Sequence, residues 1–446
     1  MKIVIAGAGD VGFHLAQLLE SENQDITLID TNDEVLEHAN KHLDVLTVKG
    51  DAASIVVLDN AEVQRAQLFL AVTTSEKTNL LSALLAKKMG ASQTVARVSN
   101  AEYLDPIQLK GFQEMGIDNL FSPTLLAAQE VDRLLQRCSF TDVFDFEDGK
   151  ISIIGITIDR DSPLVNRSMK EIDKTTPDFL MKAIALLRSG ITIIPNKDMV
   201  LKSGDHLYLM TKKEYIDQVT DFVGKSIQKV KKVMIAGGSP LALPVARILE
   251  ENYKVTLIEQ NNESCKRLVE QLHETLVIKG NPSNLDLLKE EGLEGMDAFI
   301  SLTPNSETNI ITSLMAKEAG LFKTIALVDN AVYTHVSQNI GVDTIINKKV
   351  IAANNIFRFV RKGKIEAITS LHGVNAEVIE FVVHKSNQLT KKPIGKLHFP
   401  KQALIAGIVR GDEVFIPDGD FQLQIQDKVI VLAMPEAIGK MESLFQ

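Results

Sequence analysis

The strongest constraint on what this chain can fold into is that its sequence runs twice. Residues 2–20, KIVIAGAGDVGFHLAQLLE, return at 232–250 as KVMIAGGSPLALPVARILE. VKGD (48–51) is answered by IKGN (278–281), TNLLSALLAKKMG (78–90) by TNIITSLMAKEAG (308–320), and ARVSN (96–100) by ALVDN (326–330). The match continues further along: RSGITIIPN (188–196) pairs with RGDEVFIPD (410–418), and SGDHLYLM (203–210) with IQDKVIVL (425–432). A repeat of this kind decides the architecture before any local reading does. The 446 residues are too many for one ordinary domain, and they read as a tandem duplication in which each copy has two parts.

In the first part, short apolar runs alternate with helical periodicity. Ile3–Ala6, Asp25–Ile29, Asp44–Val48, Leu68–Val72 and Thr94–Val98 read as strands, and Val11–Leu19, Asn32–Leu43, Lys77–Lys88 and Tyr103–Met115 as helices. That rhythm predicts a parallel, doubly wound α/β sheet of Rossmann type. A further apolar helix over Leu125–Gln136, with Pro123 near its start, is either an interface element or packs on its own domain. The second part changes style. Ile151–Ile158, Ala183–Leu187, Ile191–Ile194 and His206–Met210 alternate between Gly and Pro turns, and Asp161–Ile172 reads as one short helix. This is a small α+β domain. The expected limits are 1–137 and 227–361 for the Rossmann-like domains, and 138–226 and 362–446 for the small ones, with boundaries near Cys138, Gly224 and Lys362.

Composition narrows the function classes. Apolar content of 45% and charged content of 24% are those of a soluble globular protein. A net charge of −10 disfavours nucleic acid as a partner, and a chain with no Trp and five Tyr offers little base-stacking surface. The two cysteines, Cys138 and Cys265, form neither a disulfide framework nor a metal or redox motif, which fits a reducing cytoplasm. The chain opens on a strand without a charged leader, so no signal peptide is expected. The longest uncharged run, Val233–Ala246, is too short to cross a bilayer and contains two Pro.

GAGDVG places Gly7, Ala8, Gly9, Asp10, Val11 and Gly12 between a strand and a helix, the context a dinucleotide fingerprint requires. Gly7 permits the tight turn, Gly9 lets the backbone approach a pyrophosphate, and Gly12 lets the helix pack on the sheet. The next strand ends in TLID, so Asp30 stands where a carboxylate accepts hydrogen bonds from ribose hydroxyls. NAD or an adenosine nucleotide is favoured over NADP, because a 2′-phosphate would meet that carboxylate. KGDA and AVTTS put Asp51, Ala52, Thr73 and Thr74 on the same strand edge, and Arg97 is placed to reach a phosphate. Asp10 stands at the anion position and counts against tight phosphate binding; it serves the helix N-terminus instead. An empty Rossmann-like scaffold is the alternative.

In the second copy Ser239 and Ala242 replace two of the glycines and Pro240 enters. Gly237, Gly238 and Glu259 remain as candidate ligand contacts, while Asn281 replaces Asp51 and Leu327 stands at the place of Arg97. A weak site and a vestigial one are both open.

No acid, base or nucleophile cluster accompanies the cradles. G-x-S-x-G, H-E-x-x-H and G-K-[ST] are all absent. His38 and His42 share a helix face but lack further ligands at suitable spacing, so no metal site is expected. A duplicated nucleotide fold without catalytic groups reads as a sensor.

GAGDVG, TLID, KGDA, AVTTSEKTN and ARV fall in the order seen in the regulator-of-K⁺-conductance (RCK) N-domains of the TrkA family, which regulates bacterial Trk potassium uptake, and SGDHLYLM and IQDKVIVL resemble its C-domains. The resemblance covers essentially the whole chain. It implies tandem RCK N/C domains that bind NAD(H), with ATP or ADP as further candidates, through Gly7 to Val11, Asp30, Asp51, Thr73, Thr74 and Arg97. It further implies a homotetrameric ring, peripheral on the cytoplasmic face of the plasma membrane, that gates an integral-membrane K⁺-translocating subunit of TrkH/TrkG type. The competing classes are an NAD-dependent oxidoreductase with an unrecognised substrate site and a stand-alone nucleotide-binding adaptor.

Overall fold

The computed structural model describes residues 1–20, 24–136, 140–176, 181–225, 229–329, 333, 341–360, 365–371, 374–385, 388–397, 399–400 and 402–445. The first sheet comprises β1 (Lys2–Ala6), β2 (Asp25–Asp30), β3 (Leu46–Lys49), β4 (Leu68–Ala71), β5 (Gln93–Arg97) and β6 (Asn119–Phe121). Its order is β3-β2-β1-β4-β5-β6 and every pairing is parallel. Ile3, Val4 and Ile5 on the central strand are completely buried, as befits a sheet covered on both faces. The helices are α1 (Asp10–Glu20), α2 (Asp33–His42), α3 (Ile55–Asn60), α4 (Glu76–Met89), α5 (Pro106–Met115) and α6 (Pro123–Gln136). Asn32 and Ser75 cap α2 and α4 through their side chains, and Gly90 closes α4 at φ 118°. The strand order reverses between β1 and β4. In such a sheet the ligand crevice lies at the carboxyl edge beside this reversal.

The sequence reading misses β6 and α3, elements too short for periodicity to show. It also runs one helix through Tyr103–Met115, where the structure breaks it. Asp105 accepts the Ile107 N–H at 2.9 Å and caps a new helix whose first residue is Pro106.

The first small sheet joins β7 (Asp142–Phe146), β8 (Ile151–Thr157), β9 (Met181–Arg188), β10 (Ile191–Ile193) and β11 (His206–Lys212) in the antiparallel order β10-β9-β11-β8-β7. The helix expected over Asp161–Ile172 lies at Met169–Thr175, because Ser168 and Glu171 form a capping box that fixes its start. After β11 a helix at Ile216–Phe222 buries Ile216 and Val219.

The second copy repeats this plan strand for strand. β12 (Lys232–Ala236), β13 (Lys254–Glu259), β14 (Leu276–Lys279), β15 (Ala298–Ser301), β16 (Lys323–Leu327) and β17 (Thr344–Ile346) form a parallel sheet in the order β14-β13-β12-β15-β16-β17. β18 (Ile365–Ser370), β19 (Glu377–Val382), β20 (Ala403–Arg410), β21 (Glu413–Phe415) and β22 (Lys428–Ala433) form an antiparallel sheet in the order β18-β19-β22-β20-β21. Both small domains carry the same buried lock. Arg188 Nε donates to Asp205 Oδ1 at 2.7 Å, and Arg410 Nε to Asp427 Oδ1 at 2.7 Å. The fold is thus two Rossmann-like α/β domains, each followed by a small α+β domain. The expected boundaries at Cys138 and Lys362 lie outside the described residues.

The chain divides into two compact units, Met1–Ala128 with Asn347–Ile356, and Gln129–Ile346 with Phe357–Gln446. In the first unit, the start of the helix Lys348–Val360, which follows β17, joins the first Rossmann-like domain. In the second, the two small domains share one core that contains Phe144, Ile153 and Tyr208 with Val378, Ile430 and Leu432. Lys182 Nζ donates to the Ile405 carbonyl at 2.9 Å, and Lys428 Nζ to Glu147 at 2.8 Å. Val131, Leu134 and Leu135 of α6 are buried within the chain itself, and Asp132 beside them hydrogen-bonds with Tyr253 of the second copy. That half of α6 therefore belongs with the second copy's unit rather than with its own sheet. No helix among the described residues is long and apolar enough to cross a membrane.

Candidate nucleotide-binding site

The crevice of the first unit is shaped by its glycines. Gly7 takes φ 104°, and a Cβ there would stand 2.8 Å from the Thr73 nitrogen, so the loops after β1 and β4 touch at this residue. A Cβ at Gly12 would stand 1.8 Å from the Gly7 carbonyl oxygen, so only glycine lets α1 start this close to the turn. Gly9 differs from both: a Cβ there meets nothing within 4 Å. The fold does not need that glycine, and the open space beside it is where a pyrophosphate can approach the backbone. Ala8 is buried, Val11 half-buried and Asp10 exposed.

Asp30, at the end of β2, ties this loop down. Its carboxylate accepts the Ala8 N–H at 2.8 Å and the Asn32 N–H at 3.0 Å. An ionised carboxylate has about four acceptor positions, so two remain for ribose hydroxyls. Asp51 is exposed and accepts the Ala53 N–H at 2.9 Å, above a buried Ala52. Thr73 is half-buried and Thr74 exposed on the opposite lip. Arg97 is half-buried; burial pulls its guanidinium below the usual range, and no carboxylate among the described residues faces it. A desolvated cation without a partner is suited to receive an anion.

Asn79 escapes the sequence reading. It is 1% exposed and ties the loop after β4 to the end of β5. Its Oδ1 accepts the Thr73 N–H at 2.8 Å and the Thr73 hydroxyl at 2.7 Å, and its Nδ2 donates to the Arg97 carbonyl at 2.9 Å. The available signal was the TN pair shared by the two copies, Thr78–Asn79 and Thr308–Asn309. Asp10 begins α1, as expected of a residue serving the helix N-terminus, and its carboxylate also reaches Lys349 Nζ at 2.8 Å. His14, one turn further on, is held below the usual histidine range by burial and by Lys349, so it is neutral at pH 7.

The second cradle keeps the frame and changes the lining. Gly237 repeats the role of Gly7, with φ 102° and a Cβ position 2.7 Å from the Thr303 nitrogen. Asn309 repeats Asn79, accepting the Thr303 N–H at 2.8 Å and donating to the Leu327 carbonyl at 2.8 Å. Gly238, however, corresponds to Ala8 and not to a fingerprint glycine; it makes room for Glu259, which accepts its N–H. Ser239, at the place of Gly9, is buried with an unpartnered hydroxyl, and Leu327, at the place of Arg97, is 3% exposed. Asn281 accepts the Ser283 N–H at 3.0 Å, as Asp51 does that of Ala53. The same frame thus carries neither the free cation nor the open glycine.

Among the described residues no group of three or more His, Cys, Asp or Glu is placed to hold a metal ion. His38 and His42 stack with ring centroids 4.3 Å apart, and His42 Nδ1 lies 2.8 Å from the His38 carbonyl oxygen.

Comparison with known proteins agrees with this plan. The TrkA-N domain model matches residues 3–123 and again 233–348, and the TrkA-C domain model matches 153–224 and 378–446. The chain is 33% identical over its whole length to the Trk system potassium uptake protein TrkA homolog of Archaeoglobus fulgidus, covering 100% of that protein. It is 31% identical to the Trk system potassium uptake protein TrkA of Halomonas elongata, over 100% of this chain and 99% of that one. Among solved structures, the GsuK channel bound to NAD superimposes with a TM-score of 0.61 at 16% identity, covering 100% of this chain and 78% of the channel. The GsuK RCK domain does so with a TM-score of 0.61, covering 94% of that chain. These relatives bear the names of potassium uptake proteins and channel domains, not of enzymes.

Proposed function

This chain belongs to the TrkA family, and we propose that it is a regulatory subunit whose first copy binds NAD(H), or an adenine nucleotide such as ADP or ATP, and passes that occupancy to a potassium-translocating membrane protein. The carrying observation is the first crevice: the open Gly9, the Asp30 carboxylate with acceptor positions to spare, and the unpaired Arg97. The contacts are Gly7 to Gly12, Asp30, Asp51, Ala52, Thr73, Thr74 and Arg97; Gly237, Gly238 and Glu259 form a weaker or vestigial second site. The four-part organisation is 1–137, 138–226, 227–361 and 362–446. The names of the relatives support a role in potassium uptake; we extend this to a partner of TrkH/TrkG type, a homotetrameric ring and a peripheral place on the cytoplasmic face of the membrane.

The mechanism is a population shift. A nucleotide moves the ring between geometries only by the difference in its affinity for them. No catalytic step is assigned. Deleting the gene is expected to slow growth at low external K⁺ in a strain without a parallel uptake system, and normal K⁺ uptake in that strain refutes the reading. Sustained NADH oxidation with a carbonyl substrate at about 1 s⁻¹ or faster refutes it too.

A further inference from the structure

We propose that Lys349, a residue of the second copy, is a phosphate-binding residue of the first copy's nucleotide site. The inference rests on the nucleotide-binding reading above and adds to it a ligand that comes from the other end of the chain. The helix Lys348–Val360 follows the last strand of the second parallel sheet, yet Asn347–Ile356 belong to the compact unit of the first Rossmann-like domain. There Lys349 Nζ stands 2.8 Å from Asp10 Oδ2. Asp10 lies inside the GAGDVG loop and opens α1, so the ammonium stands within one side chain's length of the loop and helix start that present N–H groups to an anion.

The pair is unequal. The Lys349 side chain is 28% exposed and the Asp10 side chain 78%. An ion pair with a carboxylate this exposed contributes little, because water solvates the carboxylate nearly as well. A pyrophosphate arriving at the loop repels Asp10 into solvent and takes over the lysine in a charge-assisted hydrogen bond. Asp10 then holds the cation in place while the site is empty, which reconciles an acidic residue in the loop with an anionic ligand.

The duplication provides an internal control. Asp118 and Asp343 mark the same point in the two copies: each pairs with a lysine of the preceding long helix, Lys87 or Lys317, and each accepts a strand N–H, from Thr94 or Thr324. Counting onward from these aspartates, the place of Lys349 is held in the first copy by Thr124, which has no charge. The cation occurs only on the helix that reaches the intact glycine loop. Arg97 shows the same bias, since its counterpart is Leu327. Ligand in the first copy thereby takes a contact from the helix that follows the second parallel sheet.

The test is calorimetric titration of the full chain with NADH and with ADP, in the wild type and in Lys349→Met, which keeps the apolar stem, and Lys349→Arg, which keeps the charge. Lys349→Met is expected to weaken binding by about ten- to a hundredfold and to flatten its salt dependence, with Lys349→Arg retaining most of the affinity. The loss must persist in an Asp10→Asn background; a lysine that merely offsets Asp10 would become dispensable there. Unchanged affinity in Lys349→Met, or a loss that disappears with Asp10→Asn, overturns the inference while leaving the nucleotide-binding reading standing. A wild-type chain that binds neither nucleotide overturns that reading and the inference together.

Discussion

Gly238 and Glu259 are shaped around one another: the Gly238 N–H donates to Glu259 Oε2, and a Cβ on Gly238 would stand 2.7 Å from that same oxygen. In the first copy the two places hold Ala8 and Asp30, where a carboxylate shorter by one methylene accepts the Ala8 N–H at 2.8 Å. Gly238→Ala is therefore expected to destabilise the second Rossmann-like domain by about 1–3 kcal/mol through overpacking, and adding Glu259→Asp to restore most of that loss. Thermal melts of the two single variants and the double variant check this; strictly additive losses would show the residues to be uncoupled.

Asn79 holds the lip formed by Thr73 and Arg97 through buried hydrogen bonds to both loops. Asn79→Leu leaves the Thr73 N–H and the Arg97 carbonyl without their partner, at a cost of about 1–3 kcal/mol each where no water replaces it. Nucleotide affinity should fall although Asn79 itself need not touch the ligand. The equivalent Asn309→Leu should destabilise the second copy and leave nucleotide affinity unchanged.

The Arg188–Asp205 and Arg410–Asp427 pairs present nearly identical geometry in the two small domains, with Asp205 2% and Asp427 0% exposed. Removing one partner strands a buried charge. Arg410→Leu is expected to cost roughly 3 kcal/mol or more, since Asp427 also accepts the Gln424 N–H and has no route to water. Melting of the full chain measures it, and a shift of under a degree or so would contradict the stated role of the pair.

Acid should loosen the contact between α1 and the helix Lys348–Val360. Burial, and then Lys349, hold the His14 pKa below its ordinary value. The unfolded chain therefore takes up a proton near pH 6.5 that the folded chain refuses, and stability falls as pH drops below that point. Melting temperatures at pH 7.5 and 5.5 should differ more in the wild type than in His14→Gln. An equal difference would place the acid sensitivity elsewhere.

Much of this fold is legible in the sequence because the duplication supplies every observation twice. The parallel, doubly wound sheet and the Gly7 turn follow from spacing, since backbone sterics leave few options there, whereas the hold of Asp30 on the Ala8 N–H shows only in the structure. Short elements such as α3 and β6 carry too few residues for a period to register. The role of Asn79 is hidden because its partners are backbone atoms, which no side-chain pattern reveals. Gly238 looks like a remnant of the fingerprint until Glu259 is seen beside it. The reach of Lys349 to Asp10 is a tertiary fact: it depends on the start of a helix of one copy joining the compact unit of the other, and nothing local to either residue encodes it.

The central claim, that the first crevice takes a dinucleotide through close backbone approach, is tested most directly at Gly9. A Cβ there meets no protein atom within 4 Å, so Gly9→Val should melt with the wild type. In calorimetric titration with NADH, the wild-type chain is expected to bind and Gly9→Val to lose binding, while Ser239→Val leaves affinity intact. NADH binding that survives unchanged in Gly9→Val would contradict the account.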